Sequence, residues 1–388
     1  MTADPRTVVV VGAGMAGGRT CAALRAAGFT GEIVLVGAES RPPYDRPPLT
    51  KAALREEIDT TFDLDFPALN VKVRLGERAV GLDRTNRTLT TDAGTVVYDV
   101  LVVATGADPV RLPGTGRQVC FRGPDDAAEL RAALVPGAAV VLIGAGWIGA
   151  EVATAALAKG CSVVCLESAE APLASQLGAS VGRRFLPWWR EVDLRLGVQV
   201  VEVADGAVRL ADASTVAADV VVTGVGARPA LGWLADSGLE IDGGIAVDAD
   251  RRTSDPNVYA VGDVAARWSA RYGARVHSGH WDEAANGPAA VAAAIMGAPK
   301  AADDVPYFWS DQFGRKVQYV GQHRAADRVI LREDEDPEKW AVAWVAPDGR
   351  LTAHLSVGFP RSMVQARAAI QDGRTIDAEA IRSLRTAL

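Results

Sequence analysis

The sequence has few of the residues that indicate disulfide bonding, metal binding or attachment to nucleic acid. Only 4 cysteines and 4 histidines occur among 388 residues, and no C-x-x-C pair is present, so neither a disulfide framework nor a zinc site is predicted. The 48 acidic residues exceed the 41 basic ones, giving a formal charge of -7, which disfavours nucleic acid or anionic lipid as a partner. Scarce cysteine and a short first apolar run favour a cytoplasmic protein without an export signal.

No stretch of the sequence is suited to cross a membrane. Residues 132–150 carry no charge, but Pro136 and several glycines interrupt the run, so a turn, a buried strand and a glycine loop are predicted there. The hydrophobic fraction of 49%, the charged fraction of 23% and the mean hydropathy of +0.09 are typical of a folded globular chain. At about 150 residues per domain, the chain has room for two or three domains.

The N-terminal segment has the pattern of a dinucleotide-binding unit. Residues 8–11 are four consecutive valines, which predict a parallel strand buried on both faces. The glycine turn G-A-G-M-A-G follows at once, and residues 15–27 have the spacing of a helix. Such a turn lets a pyrophosphate approach the backbone, and an acidic residue about 20 positions later binds a ribose hydroxyl. The residues predicted to bind a dinucleotide here are Gly12, Gly14, Met15, Ala16, Gly17 and Glu39.

The same pattern recurs in the middle of the chain. Residues 139–143 predict a strand, 144–149 the glycine turn G-A-G-W-I-G, 151–159 a helix and 162–166 a further strand. One such turn is a weak indication, but two with strand, helix and acid in register are a strong one. A carboxylate at Glu167 accepts from a free 2′-hydroxyl and repels a 2′-phosphate, so NADH is expected rather than NADPH. The residues predicted to bind here are Gly144, Gly146, Trp147, Ile148, Gly149 and Glu167.

The pattern changes again from about residue 306. Short alternating segments predict strands at 316–320, 329–332, 340–346 and 351–357, followed by a helix at 361–372. The proline-containing segment between the second and third of these strands is predicted to be a loop. A small α+β domain is therefore expected at the C-terminal end of the sequence.

Further motifs carry a family resemblance. They are PYDRPPLTK (43–51), ATGA (104–107), Arg122 ahead of DDA (125–127), TGVGARP (223–229), YAVGDV (259–264) and YFWSDQ (307–312). In this order, around two glycine turns, the chain resembles the FAD- and NADH-dependent ferredoxin reductases of bacterial oxygenase systems, the putidaredoxin and rubredoxin reductase-like group of the glutathione-reductase fold. The resemblance covers nearly the whole chain, and PYDRPPLTK is its most specific piece.

The resemblance implies an α/β fold with two Rossmann-like domains, one for FAD and one for NAD, and a small α+β C-terminal domain. The FAD-binding domain is expected to be discontinuous (1–111 and 238–305), with the NADH-binding domain at 112–237 and the C-terminal domain at 306–388. Catalytic and cofactor-binding roles are implied for Lys51, near the flavin, and Glu151, near the nicotinamide. The other cofactor residues implied are Arg46, Ala79, Ala104, Thr105, Gly106, Arg122, Gly226, Gly262, Asp263, Trp281 and Trp309.

The resemblance also implies the reaction. NADH would deliver hydride to FAD, and the reduced flavin would pass electrons singly to a ferredoxin-type iron–sulfur protein serving an oxygenase. No general base or metal is needed, so the four histidines are expected to be structural or surface residues. A monomer or homodimer is expected, and an acidic ferredoxin needs a basic docking face, with a scattered solvated surface as the alternative. The candidate docking residues are Arg267, Arg271, Arg275, Arg315 and Lys316.

Some positions depart from the family pattern. Disulfide reductases of this fold carry a redox cysteine pair after the first glycine turn, and only Cys21 lies there. Gly279, Glu283 and Gly287 stand where the family has an acid, an asparagine and a glutamine. These differences leave two alternatives open: a flavin oxidase or small-molecule reductase that uses NADH without ferredoxin, and an NADH-sensing redox interaction protein. The unusual segment 187–190, P-W-W-R, is either an exposed contact patch or part of the core.

Overall fold

The computed structural model describes residues 5–298, 302–384, 386 and 388. The N-terminal part comprises β1 (Thr7–Val11), α1 (Met15–Ala26), β2 (Glu32–Gly37), β3 (Val71–Leu75), β4 (Ala79–Asp83), β5 (Thr88–Thr91), β6 (Gly94–Val97), β7 (Val100–Val103) and β8 (Ala107–Pro109). Strands β7, β1, β2 and β3 lie side by side in that order and are parallel. Val8, Val9 and Val10 are completely buried in this sheet, as the valine run predicts. A separate antiparallel sheet contains β4, β5 and β6.

The middle part contains the second glycine turn. Its elements are α2 (Pro124–Ala133), β9 (Ala139–Ile143), α3 (Trp147–Ala158), β10 (Ser162–Glu167), α4 (Ala174–Leu177), α5 (Ala179–Gly182), β11 (Asp193–Leu196), β12 (Val200–Ala204), β13 (Ala207–Leu210), β14 (Thr215–Ala217), β15 (Val220–Thr223) and β16 (Ala227–Pro229). The parallel sheet has the order β11-β10-β9-β15, and β12 to β14 form an antiparallel sheet. Strand β16 pairs antiparallel with β8, so the chain leaves this part beside the point where it enters.

The chain then returns to the first sheet. The elements of this segment are β17 (Ile245–Val247), β18 (Val258–Ala260), β19 (Ala265–Ser269), β20 (Ala274–Val276) and α6 (Trp281–Ile295). Strand β18 pairs parallel with β7 and becomes the fifth strand of the N-terminal sheet. Helix α6 packs against α1. Residues far apart in sequence therefore converge on the carboxyl end of one parallel sheet, which is where α/β folds bind their ligands.

The C-terminal part is an antiparallel sheet with one covering helix. Its elements are β21 (Tyr307–Gln312), β22 (Arg315–Gly321), β23 (Arg328–Glu333), β24 (Trp340–Val345), β25 (Leu351–Val357) and α7 (Pro360–Gln371). The strand order is β21-β22-β25-β24-β23. Helix α7 buries Met363 and Ile370 against one face of this sheet. The other face packs against the middle part, where Phe185 lies in one apolar cluster with Trp344 and Leu355.

Most of the predicted elements agree with the structure, but the start of one helix differs and one strand was not predicted. The strands of both glycine-turn units and four C-terminal strands lie where the patterns predict them, within a residue or two. Helix α3 begins at Trp147, one turn before the predicted start, because Gly146 supplies the extended residue that precedes it. Strand β21 was not predicted as a strand, since its aromatic letters have no clear alternation. Residues 334–339 form a loop, as predicted.

Both tryptophans of the P-W-W-R segment pack against the core, whereas Pro187 and Arg190 are exposed. Trp189 is 2% exposed and packs edge to face on Phe313 at 5.1 Å. The Trp188 ring lies 4.7 Å from Phe185, and the Arg315 guanidinium lies over its face. The tryptophans therefore do not form an exposed contact patch, and they join the middle part to the C-terminal sheet.

Candidate functional site

Two positions of the first glycine turn, Gly12 and Gly17, have no room for a side chain. Gly12 has a φ of +107°, and a Cβ there would lie 2.3 Å from the Ala104 carbonyl oxygen. A Cβ at Gly17 would lie 1.8 Å from the Gly12 oxygen, so the absence of a side chain at Gly17 lets α1 pack directly against the end of β1. Helix α1 follows Gly14 with no side-chain cap. Its first N–H groups are thus available to an anionic group, as a dinucleotide pyrophosphate requires.

The second glycine turn repeats this geometry. Gly144 has a φ of +101°, and a Cβ there would lie 2.6 Å from the Gly224 oxygen. A Cβ at Gly149 would lie 2.1 Å from the Gly144 oxygen. At the end of β10, the Glu167 carboxylate accepts hydrogen bonds from the amides of Ala145 (2.7 Å) and Ala169 (2.8 Å). The acidic group therefore stands beside the turn, where a ribose of a bound dinucleotide belongs.

Both turns adjoin one cleft of about 930 Å³. Its walls come from all parts of the chain, so residues separated by more than 250 positions share one space. The sequence-predicted site residues that line it are Met15, Arg46, Lys51, Arg122, Gly144, Gly146, Trp147, Ile148, Glu151, Glu167, Gly226, Asp263, Trp281 and Trp309. The second glycine turn lines the cleft with Gly144 and Gly146, and the first contributes Met15 at the start of α1.

The remaining predicted residues lie behind or beside the cleft wall. Ala104 is buried at the end of β7, and Gly262 begins the turn after β18. The Thr105 hydroxyl donates to the Ala230 carbonyl, while Ala79 begins β4 in the antiparallel sheet. The predicted residues that do not line the cleft are Gly12, Gly14, Ala16, Gly17, Glu39, Ala79, Ala104, Thr105, Gly106, Gly149 and Gly262.

Two arginines meet at the first glycine turn. Arg46 donates to the Arg122 carbonyl (3.0 Å) and pairs with Glu39 (3.1 Å), and Arg122 pairs with Asp263 at 3.5 Å. Burial, followed by the charge of Arg46, lowers the pKa of Arg122. Two partly desolvated guanidinium groups beside a glycine turn favour an anionic ligand such as a diphosphate. A Cβ at Gly106 would lie 2.5 Å from the Arg122 guanidinium, so glycine leaves space for that side chain.

Glu151 is the most heavily bonded carboxylate in the cleft. It is 6% exposed and forms an ion pair with Lys51 at 2.9 Å. It also accepts hydrogen bonds from the Thr50 and Ser310 hydroxyls and from the Asp311 amide. The sequence predicts Glu151 and Lys51 as site residues but not Thr50 or Ser310. Both are sequence neighbours of predicted residues within the quoted motifs: Thr50 precedes Lys51, and Ser310 follows Trp309.

Aromatic rings form the wall next to this carboxylate. The Trp281 indole N–H donates to Asp45 at 2.8 Å, and its ring lies 5.8 Å from Trp309. His280 stacks on Phe308 at 4.1 Å, and burial lowers the pKa of His280 to about 4. The imidazole is therefore neutral at physiological pH. His277 and His280 both line the cleft, and the expectation that the histidines are structural or surface residues stays a prediction.

The departures at 283 and 287 are explained by packing. Glu283 binds the completely buried Arg251 through both carboxylate oxygens, at 3.1 and 3.2 Å. A Cβ at Gly287 would lie 2.6 Å from the Glu283 carboxylate, so the glycine makes room for this ion pair. Neither residue lines the cleft, whereas Gly279 does, with open space around it.

The predicted basic docking face does not form. Arg267 is 3% exposed and pairs with Asp303, and Arg271 binds main-chain carbonyl groups of the C-terminal part. Arg275 pairs with Glu240 and Asp242. Arg315 pairs with Glu338, which leaves Lys316 exposed. These cations hold the protein together instead of facing a partner, so the interpretation as one docking face is wrong.

The described residues contain neither a metal-binding cluster nor a membrane-spanning helix. Within 5–298 and 302–384, no group of three His, Cys, Asp or Glu side chains could hold a metal ion. No helix in the same ranges is long and apolar enough to span a membrane. All four cysteines are buried and free.

Comparison with known proteins assigns this architecture to a family. Residues 6–298 match the pyridine nucleotide-disulphide oxidoreductase family, and residues 307–388 match the reductase C-terminal domain. The chain is 35% identical to the ferredoxin–NAD(+) reductase component of the anthranilate 1,2-dioxygenase system of Burkholderia cepacia, over 97% of this chain and 96% of that protein.

Solved structures give the same result. The crystal structure of Fdr9 superposes with a TM-score of 0.96 at 53% identity, covering 99% of each chain. Putidaredoxin reductase, in its covalent complex with putidaredoxin, superposes with a TM-score of 0.91 at 29% identity, covering 97% of this chain and 95% of that one.

The fold and cleft define a two-dinucleotide flavoprotein oxidoreductase with a C-terminal reductase domain. The chain belongs to the pyridine nucleotide-disulphide oxidoreductase family. The family, the α/β fold class with two dinucleotide-binding domains, and FAD and NAD(H) as cofactors are confirmed as predicted.

Proposed function

We propose that the chain is an NADH-dependent flavoprotein reductase that passes electrons from NADH through FAD to a ferredoxin-type iron–sulfur protein serving an oxygenase. The observation that carries this proposal is one cleft that both glycine turns adjoin and that the Lys51–Glu151 ion pair also lines. The relative from Burkholderia cepacia is a ferredoxin reductase component of a dioxygenase system. The similar putidaredoxin reductase was solved with putidaredoxin attached.

The two dinucleotides are assigned to different parts of the chain, which meet at the cleft. We assign FAD to the unit formed by residues 1–111 and 238–305, where the first glycine turn, Arg46 and Asp263 converge. NADH is assigned to residues 112–237, with the second glycine turn and Glu167. Supporting this division, β18 completes the N-terminal sheet, and β8 and β16 pair where the chain crosses between the units. Residues 306–388 supply Trp309 to the same cleft.

FAD, when bound, supplies the ability to take two electrons from NADH and release them one at a time. The chain contributes position and charge. The Lys51 ammonium places a cation at the cleft, and cations favour a reduced, electron-rich ring. The Glu151 carboxylate fixes that ammonium at 2.9 Å. The aromatic wall of Trp281 and Trp309 excludes water from one side of the space.

Transfer to a cysteine pair has no support in the structure. Cys21 is the cysteine nearest to the first glycine turn, and burial raises its pKa to about 12. Such a thiol is not ionised at neutral pH, so it cannot act as a nucleophile. The other three cysteines are also buried and free. Electrons must therefore leave the flavin for an external acceptor, and free thiols agree with the proposed cytoplasmic location.

The test is electron transfer with and without ferredoxin. FAD-loaded protein is mixed with NADH and cytochrome c, and the rate is followed with a panel of 2Fe–2S and 3Fe–4S ferredoxins. We expect at least one ferredoxin to increase cytochrome c reduction strongly, with NADH preferred over NADPH. Equal NADH consumption with every ferredoxin and with none, matched by oxygen uptake, would contradict the proposal and favour a flavin oxidase.

A further inference from the structure

We propose that Ser310 and Thr50 are positioning residues that hold the Glu151 carboxylate, and through it the Lys51 ammonium, in place for the reaction between NADH and the flavin. The inference rests on the proposed function, of which it concerns only the first half, reduction by NADH. Ser310 belongs to the C-terminal sheet, so this part of the chain becomes a component of the reducing site.

Each oxygen of Glu151 has a defined set of donors. Oε1 accepts from the Ser310 hydroxyl at 2.5 Å and from the Asp311 amide at 3.3 Å. Oε2 accepts from the Lys51 ammonium at 2.9 Å and from the Thr50 hydroxyl. A carboxylate satisfied by four donors in a buried place has little freedom to rotate. Removing the Ser310 hydroxyl leaves Oε1 with the Asp311 amide alone, at 3.3 Å, and removing the Thr50 hydroxyl leaves Oε2 with Lys51 alone, so either change loosens the orientation of the carboxylate.

The orientation of the Glu151 carboxylate matters because it fixes the position of the Lys51 ammonium. Its ammonium donates to Glu151 and to the Pro47 carbonyl at 3.2 Å. A lysine has three N–H donors, so one N–H remains for the cleft that Lys51 lines. The direction of that third donor is set by the other two. Ser310 and Thr50 are both buried, at 1% and 8% exposure, so water does not replace their hydroxyl groups easily.

The structure provides a matched control. Two of the hydrogen bonds between α3 and β21 with the residues after it depend on a side-chain hydroxyl: Ser310 donates to Glu151, and the Phe313 amide donates to the Thr154 hydroxyl at 2.8 Å. Thr154 lies about one turn further along the same helix. Both bonds join the C-terminal part to α3, but only the first touches Glu151. A purely structural role predicts the same effect for the loss of either bond.

The experiment compares Ser310→Ala with Thr154→Val in the full-length, FAD-loaded protein. Flavin reduction is followed by anaerobic stopped flow over a range of NADH concentrations, and thermal unfolding and the visible flavin spectrum are recorded. We expect both variants to unfold at lower temperature. Ser310→Ala should slow reduction at saturating NADH about tenfold, with the NADH concentration for half-maximal rate within twofold of wild type. Its flavin spectrum should shift, while Thr154→Val keeps both rate and spectrum.

Two more comparisons isolate the route through Glu151. Thr50→Val should slow reduction, whereas Thr50→Ser, which keeps the hydroxyl, should stay within about twofold of wild type. In a Glu151→Met background, Ser310→Ala should have less than about a twofold effect, since the acceptor is gone. Equal slowing by Ser310→Ala and Thr154→Val, or full slowing in the Glu151→Met background, would overturn the proposal. Failure of the proposed ferredoxin coupling would leave these NADH measurements unaffected.

Discussion

Replacing Glu283 with alanine is expected to destabilise the protein strongly, although the residue lies outside the cleft. The Arg251 side chain is completely buried and donates two hydrogen bonds to the Glu283 carboxylate, at 3.1 and 3.2 Å. Removing one member of a buried ion pair costs about 3 to 5 kcal/mol, because the other charge stays buried. Asp304 at 3.5 Å and the Ala249 carbonyl at 2.6 Å still bind Arg251. The expected loss is therefore about 3 kcal/mol, the lower end of that range.

The assay is urea unfolding of wild-type and variant protein, followed by tryptophan fluorescence. Glu240→Ala is the matched control, because Glu240 pairs with Arg275 at 3.0 Å but is 60% exposed. An exposed pair contributes about 0.5 kcal/mol, so the control should differ little from wild type. A loss for Glu283→Ala no larger than that of the control would refute the reasoning.

The same site predicts a coupling with Gly287. A Cβ at this position meets the Glu283 carboxylate at 2.6 Å and a Val261 methyl at 2.9 Å. Gly287→Ala should therefore destabilise the wild-type protein more than it destabilises the Glu283→Ala variant, by about 1 kcal/mol in the double-mutant cycle. Additive losses would mean that the glycine does not serve the ion pair.

Three further predictions concern the second cofactor and a buried histidine. Gly144→Ala should keep FAD but slow flavin reduction by NADH on the order of 100-fold, because the new methyl group meets the Gly224 oxygen in a strained backbone; loss of the yellow colour would contradict this. Glu167→Gln should lower the ratio of kcat/KM for NADH to that for NADPH about tenfold, and an unchanged ratio would count against the assigned role. Burial lowers the pKa of His354 to about 3, while the unfolded chain takes up the proton near 6.5. The free energy of unfolding should thus fall by about 2 kcal/mol from pH 7 to pH 5 through this residue. His354→Gln should remove that part of the pH dependence in urea unfolding, and the same change at the exposed His277 should not.

Local patterns were enough to predict the glycine turns, because the first and last glycine of each turn stand where a Cβ would meet backbone. The strand, the turn and the helix are adjacent in sequence, so 8–27 and 139–159 contain most of what determines their structure. The motif PYDRPPLTK likewise identified Arg46 and Lys51, which both line the cleft.

Contacts between distant segments could not be predicted in this way. Ser310 reaches Glu151 across 159 positions, and nothing in the local pattern of β21 indicates that its hydroxyl is directed to α3. The basic residues Arg267, Arg271 and Arg275 were interpreted as a surface, because their acidic partners are in other segments. Glu283 and Gly287 were interpreted as changes to the cleft for the same reason, since the partner Arg251 lies 32 positions away.

The pairing of β8 with β16 has a consequence for the history and engineering of this chain. Because the two crossings between the N-terminal part and the middle part run side by side, the middle part is an insertion with both ends at one place. A segment of that kind can be exchanged between relatives by cutting at two neighbouring points, without disturbing the sheet that β18 completes. An exchanged middle part would have to keep Glu151 and Thr154, because these two residues bind the C-terminal sheet and Glu151 also binds Lys51.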